Sequence, residues 1–205
     1  MHNFPVIVFE GIETSGKSSL INKVSGHLKN LNRKFVKIRE PGGSEYSERI
    51  RKLMLNNKSK LSFITDLMLI MASRSENIDK ILKKNHGKKI ILIDRFVDST
   101  LAYQHYGMGI DKNLINKLNE IVLDGFKPSF TFVNIVNKRN LKDRLKKRNR
   151  INKYDKFNFS FYNKVQNGFL KLSKKKNYLI IDSNIKTLEE NYQIIIKKVD
   201  KLIKK

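Results

Sequence analysis

The stretch Gly11-Ile12-Glu13-Thr14-Ser15-Gly16-Lys17-Ser18 constrains this chain more than any other. It fits G-x-x-x-x-G-K-[ST], follows the apolar run Pro5-Val6-Ile7-Val8-Phe9 and precedes a helical pattern over 17–31. Glycines at both ends let the backbone wrap an anion, so that successive N–H groups and the positive end of the next helix converge on phosphate oxygens. In such a loop Lys17 faces the β- and γ-phosphates of a nucleotide and the Ser18 hydroxyl faces Mg²⁺. The plainer alternative is a glycine turn in which Thr14 or Ser15 caps the helix. Glu13 is open to two readings: a carboxylate beside the transferring group, or a solvent-facing acid favoured by the helix dipole.

Four similar apolar runs follow: Phe35-Val36-Lys37-Ile38, Ile90-Ile91-Leu92-Ile93, Phe130-Thr131-Phe132-Val133 and Tyr178-Leu179-Ile180-Ile181. Continuous apolar runs suit strands covered on both faces, as in a parallel sheet. Helical patterns fall between and after them, at 44–56, 62–84, 112–123, 141–148, 155–174 and 187–204. The alternation predicts an α/β fold, a five-stranded parallel sheet flanked by helices and joined by right-handed crossovers. The 205 residues fit one domain, 1–205, without an internal repeat or a Pro/Ser-rich linker. The polar stretch 148–156 is the candidate mobile loop. Periodicity does not give the strand order.

A net charge of +24 raises a nucleic-acid reading. The basic residues cluster at 142–153, at 174–176 and near the C-terminus, but most lie on amphipathic patterns as solvated faces, and no specific nucleic-acid partner is indicated. The lack of cysteine excludes disulfides and thiolate metal sites and suits a reducing compartment. No apolar run approaches the roughly 20 residues of a membrane span, and no leader pattern opens the chain, so a soluble cytoplasmic protein is expected.

Asp94-Arg95 ends the third apolar run, and ligands of open α/β sheets bind at the carboxyl ends of strands. Asp94 could hold Mg²⁺ through water and Arg95 could grip a phosphate by its planar fork; a local Asp–Arg ion pair is the alternative. The surrounding Asp94-Arg95-Phe96-Val97-Asp98-Ser99-Thr100-Leu101-Ala102-Tyr103-Gln104 resembles the D-R-[FY]-x-x-S-x-x-A-Y-Q signature of thymidylate kinases. Arg39-Glu40-Pro41-Gly42-Gly43-Ser44, followed by Arg51, resembles the R-E-P-G-G-[ST] segment of the bacterial members, and Gly11-Ile12-Glu13 is similar to their phosphate loop. The motifs come in family order, and the resemblance runs from about Phe4 to the C-terminal helix.

The resemblance implies a P-loop kinase fold and transfer of a phosphoryl group from ATP·Mg²⁺ to dTMP, by a homodimer. It implies an ATP site of Gly11, Ile12, Glu13, Thr14, Ser15, Gly16, Lys17, Ser18 and Ser19 with Arg144, and a metal site of Ser18 and Asp94. Arg95 and Arg51 would hold the acceptor phosphate, with Glu40 and Pro41 shaping that pocket and Ser99 beside it. Arg74 would bond the thymine carbonyl, Thr100 and Gln104 would line the base pocket, and Tyr103 would lie against the deoxyribose. Read without the family, Arg74 is a solvated helix arginine and Tyr103 a half-buried aromatic.

Residues 12–15 contain no arginine, so the chain resembles members whose catalytic arginine sits in a lid, here about 144–156. Arg148 matches that position best and Arg144 next, with Arg150 and Lys153 as substitutes; a solvated basic helix end competes with each. The catalytic set is then Lys17, Glu13, Arg95 and Arg148. Two departures matter. Ile70 stands where the family usually has a base-stacking phenylalanine, which leaves thymine to aliphatic surface or to Met71 or Phe63. Asn152-Lys153-Tyr154-Asp155 stands where the lid usually has D-R-x-E.

Overall fold

In strand β1 (Val6–Gly11) every residue is buried. Ile7 and Phe9 pack on one face of the sheet with Leu20, Val24 and Leu28, and Val6 and Val8 pack on the other with Ile78 and Phe96. That two-sided burial is why β1 reads as a continuous apolar run. The computed structural model describes residues 4–147 and 152–204; Arg148 and Arg150 lie outside them.

After β1 come α1 (Lys17–Asn30), β2 (Phe35–Arg39), α2 (Glu45–Leu55) and α3 (Phe63–Asn77). A π-helical stretch, Ile78–Leu82, extends α3 into the short α4 (Lys83–Asn85). Next are β3 (Ile90–Asp94), α5 (Val97–Thr100), a π-helical continuation Leu101–Gly107, and α6 (Lys112–Leu123). The chain ends with β4 (Phe130–Ile135), α7 (Lys138–Lys146), a 3₁₀ turn Lys153–Lys156, α8 (Phe159–Leu172), β5 (Tyr178–Asp182) and α9 (Leu188–Ile203). The sheet is parallel throughout, in the order β2-β3-β1-β4-β5. The architecture is that of a P-loop kinase, and it brings the carboxyl ends of β1, β2, β3 and β5 to one edge.

Several expected boundaries move, each for a local reason. Helix α7 begins ahead of 141 because the Asn137 side chain accepts from the Asn140 N–H and caps it. Helix α8 begins at Phe159, capped by Asn158, and Asp155 belongs instead to the 3₁₀ turn. There Asn152 and Asp155 form a reciprocal capping box, so part of the expected loop is ordered by its own polar side chains. The helical run 97–107 was not predicted at all: its apolar residues follow no single stripe, because the segment is buried against α8, α6 and the sheet. The edge strands β2 and β5 are only partly covered, with Lys37 and Ile180 exposed. No helix among the described residues is long and apolar enough to cross a membrane.

Candidate active site

The loop after β1 takes a shape that only glycine permits at its first position. Gly11 has φ 133°, and a Cβ there would lie 2.2 Å from the Asn134 carbonyl oxygen. The N-cap of α1 is Gly16, in the left-handed region at φ 92°, with no side-chain cap. Neither Thr14 nor Ser15 therefore serves as the capping residue. The Lys17 ammonium turns back over the loop and donates to the carbonyls of Gly11 and Ile12, each at 2.8 Å. Burial, with Arg95 adding to it, lowers its pKa to about 7. The Ile12 side chain points away into the core beside Tyr103 and Val133.

Asp94 and Arg95 do not pair with each other. The Ser18 hydroxyl donates to Asp94 Oδ2 at 3.2 Å, and the buried Oδ1 has no hydrogen-bond partner. Arg95, at φ 68°, sends Nη1 to the Gly11 carbonyl at 2.9 Å and Nη2 to Glu13 Oε1 at 2.9 Å. The Tyr103 hydroxyl donates to the other Glu13 oxygen. Glu13 is therefore not a solvent-facing acid: its side chain is 11% exposed and bridges Arg95 and Tyr103. Burial works against the Arg95 charge, but Tyr103, Glu13, Asp94 and Glu10 outweigh it and hold the guanidinium charged.

Arg51 donates to the Pro41 carbonyl at 2.6 Å, across the cis Glu40–Pro41 peptide from Glu40. Burial and then Arg39 lower its pKa to about 10. Arg74 is 1% exposed, which overturns its reading as a solvated helix residue. Its guanidinium donates to Glu40 at 2.8 Å, Asn119 at 2.6 Å and Thr100 at 2.9 Å and lies 5.2 Å from the Phe96 ring centre. Burial raises the Glu40 carboxyl above its ordinary pKa even with Arg74 beside it.

These groups meet in one crevice of about 630 Å³. Its walls include every candidate from Glu13 to Ser19, and also Glu40, Pro41, Arg51, Ile70, Arg74, Asp94, Arg95, Ser99, Thr100, Tyr103, Gln104 and Arg144. Gly11 and Ile12 lie just behind it. Arg144 reaches the loop from α7, donating to the carbonyls of Thr14 at 3.1 Å and Ser183 at 3.0 Å. Lys153 does not face the crevice; its ammonium is held by Asp66 of α3. Of the base-packing surfaces expected, aliphatic side chains do line the crevice, and the two named alternatives do not. Met71 is buried with Leu67 and Leu101, Phe63 is half exposed, and neither lines the crevice. Its apolar lining includes Leu55 and Phe96 besides Ile70.

Other wall residues escaped the sequence reading. Ser183, Lys186, Leu188 and Asn191 close the end near α1, and Asn152 and Tyr154 add to the wall. The strand-end rule applied to β5 would have found Ser183, the residue immediately after it. Glu10, fully buried, accepts from the backbone N–H groups of Phe96 and Ser99 and from the Ser99 hydroxyl, so it caps the helix that carries the site. A single acid ending an apolar run was its only signal.

No cluster of three or more acidic or histidine side chains able to hold a metal occurs among the described residues. One carboxylate with an unpartnered buried oxygen beside one hydroxyl is nevertheless a fit for Mg²⁺, which keeps several waters and takes phosphate oxygens instead of a protein cage.

Comparison with known proteins agrees with this geometry. The family model described as thymidylate kinase matches residues 9–195. A thymidylate kinase of Sulfurihydrogenibium sp. is 37% identical over 188 residues, covering 89% of this chain and 91% of that protein. One of Staphylococcus epidermidis is 39% identical over 198 residues, covering 93% and 97%. The crystal structure of thymidylate kinase from Ehrlichia chaffeensis superposes with a TM-score of 0.77 at 32% identity, covering 96% of this chain and 98% of that one. On the matched motifs, the shared fold and relatives aligned over nearly their whole length, this chain belongs to the thymidylate kinase family.

Proposed function

We propose that the chain transfers the γ-phosphoryl group of ATP to dTMP, giving dTDP and ADP, a step in dTTP synthesis. The observation that carries this reading is that two anion cradles share one crevice: the Lys17 loop on one side, Arg95 and Arg51 on the other. Direct transfer needs donor and acceptor phosphates in line and sheltered from water, more than it needs covalent help.

In this reading the loop N–H groups and Lys17 hold the donor phosphates, and Arg144 backs the loop from α7. Arg95 aligns the acceptor phosphate with Arg51, and Glu13 fixes the angle of the Arg95 fork. A phosphate oxygen is already a nucleophile at neutral pH, so Glu13 serves orientation and not proton abstraction. Ser18 and Asp94 would hold Mg²⁺, which, when bound, neutralises phosphate charge. The lid, about 144–156, supplies the further cation, with Arg148 as the assigned residue. Ile70, Leu55 and Phe96 pack the thymine, Arg74 reaches its carbonyl with its remaining N–H groups, and Thr100 and Gln104 complete the pocket. Ser99 lies beside the acceptor phosphate and Tyr103 against the deoxyribose.

The proposal includes one cytoplasmic kinase domain that forms a homodimer. Supporting the dimer is an apolar face on α3, where Phe63, Ile64 and Met68 are 50%, 47% and 43% exposed; light scattering tests it. The activity is tested by a coupled ADP-release assay over dTMP, dUMP, dCMP, dAMP and thymidine, with and without Mg²⁺. Preferred turnover of dTMP with Mg²⁺ supports the reading. Preference for thymidine, or undiminished turnover in Lys17→Ala, refutes it.

A further inference from the structure

Asp66 is 2% exposed in the first turn of α3, and both of its oxygens are engaged by one distant segment. The Tyr154 hydroxyl donates to Oδ2 and the Lys153 ammonium to Oδ1. Both donors lie in the 3₁₀ turn that its own capping box closes, and the Tyr162 hydroxyl donates to the Tyr154 carbonyl at 2.7 Å. The turn is therefore stiff in itself and fastened to α3 at a buried point. A carboxylate is costly to bury unless paired and hydrogen-bonded, and here Lys153 and Tyr154 of that turn meet both conditions.

Its location gives the clamp a consequence for the site. Asp66, Ile70 and Arg74 recur every four residues and so share one face of α3. Ile70 and Arg74 form part of the crevice wall, and Asn152 and Tyr154 form another part of it. The Tyr154 ring meets Tyr103 edge-on at 5.9 Å, and Tyr103 in turn bonds Glu13, the partner of Arg95. Burial and then Asp66 raise the Tyr154 phenol well above its ordinary pKa, so it remains a donor at neutral pH.

We propose that Asp66 is a positioning residue for the acceptor: by gripping Lys153 and Tyr154 it holds the 153–156 turn against the acceptor end of the crevice. Resting on the reading of dTMP as acceptor, it fixes the ring of Tyr103 and keeps water from the transferring group. The donor end, walled by Arg144, Ser183 and Leu188, has no part in this clamp.

The test uses the full chain with Asp66→Asn, Asp66→Leu and Tyr154→Phe. It measures kcat, KM for dTMP, KM for ATP and phosphate release from ATP without acceptor, with thermal unfolding alongside. Asp66→Leu should raise KM for dTMP roughly 10- to 100-fold, the worth of hydrogen bonds to a charged group, with KM for ATP within about 2-fold. Hydrolysis to water should rise relative to transfer. Asp66→Asn should recover part of the loss, because its amide oxygen still accepts from Tyr154, and Tyr154→Phe should fall between. If Asp66→Leu does not fold, the other two variants decide. Folded Asp66→Asn and Tyr154→Phe enzymes with unchanged KM for dTMP overturn the proposal, as does a parallel rise in both KM values. Those results, with an active wild type, sink the clamp alone; a wild type inactive toward dTMP sinks the acceptor reading as well.

Discussion

Replacing Arg74 by methionine keeps most of the side-chain stem and removes the cation paired with Glu40, a carboxylate that has left water. The Arg74 and Glu40 side chains are 1% and 3% exposed. Asn119 and Thr100 lose a donor at the same time. Breaking a buried pair from one side costs about 3–5 kcal/mol, because the surviving charge is stranded. For a chain of 205 residues that corresponds to a fall in Tm of roughly 6–20 °C, at about 2–4 °C per kcal/mol. Urea unfolding followed by circular dichroism should move Cm with little change in slope. Adding Glu40→Gln to Arg74→Met should recover about 1–3 kcal/mol, since the double variant strands no charge. The pH dependence has a definite sign. Burial already holds Glu40 above its ordinary range, and without Arg74 it rises further, so the penalty of Arg74→Met should be smaller at pH 4 than at pH 8. A loss under about 1 kcal/mol, or a double variant as unstable as the sum of the singles, would refute the reasoning.

Three further outcomes are open to measurement. Lys17 sits at about 7 because of burial and then Arg95, and a bound triphosphate restores its charge; nucleotide affinity should therefore fall as pH rises above 7. Calorimetry at pH 8 in buffers of different ionisation enthalpy should register uptake of about one proton, and no uptake contradicts the assignment. Gly11→Ala places a Cβ 2.2 Å from the Asn134 carbonyl at φ 133°, and should cost about 3 kcal/mol or more and abolish nucleotide binding; wild-type turnover would count against it. Glu10 is raised to about 7 by burial and then Asp98, so the native state binds more protons than the unfolded chain between 4.5 and 7. Its contribution is present below 4.5 and lost as pH rises through 7, by up to about 3 kcal/mol, and Glu10→Gln should remove that slope from unfolding measured at pH 5 and pH 8.

The phosphate loop was legible because its chemistry is local: two glycines, a lysine and a hydroxyl must be contiguous to wrap an anion, and a strand and a helix must flank them. The strands were legible for a similar reason, since burial on both faces writes an unbroken apolar run. Partners chosen across the sheet left no such trace. Nothing near Arg74 announces Glu40, Asn119 and Thr100, which come from three other places in the chain. The helix at 97–107 was hidden because it is buried on several sides and carries polar site residues inward, which erases the stripe that marks a surface helix. Asp155 misled in the opposite direction. It looked like the start of α8 and is a capping residue of the turn before it.

The strongest reason to expect phosphate between Lys17 and Arg51 is the cost of the cations themselves. Lys17 is lowered by burial and by Arg95, and Arg51 by burial and by Arg39, so each is less comfortably charged here than in water. Arg95 escapes this because Tyr103, Glu13, Asp94 and Glu10 together outweigh the cost of its burial. A fold selected for stability alone would space such groups apart or pair each with its own acid, as Arg74 is paired with Glu40. Here Glu13 bonds Arg95, while the Lys17 ammonium donates to the loop carbonyls and the Ser15 hydroxyl and Arg51 donates to the Pro41 carbonyl. Anionic oxygens entering the crevice would relieve both. Preorganised charge of this kind acts hardest where negative charge is greatest, which in an in-line transfer is the phosphoryl group between the two cradles.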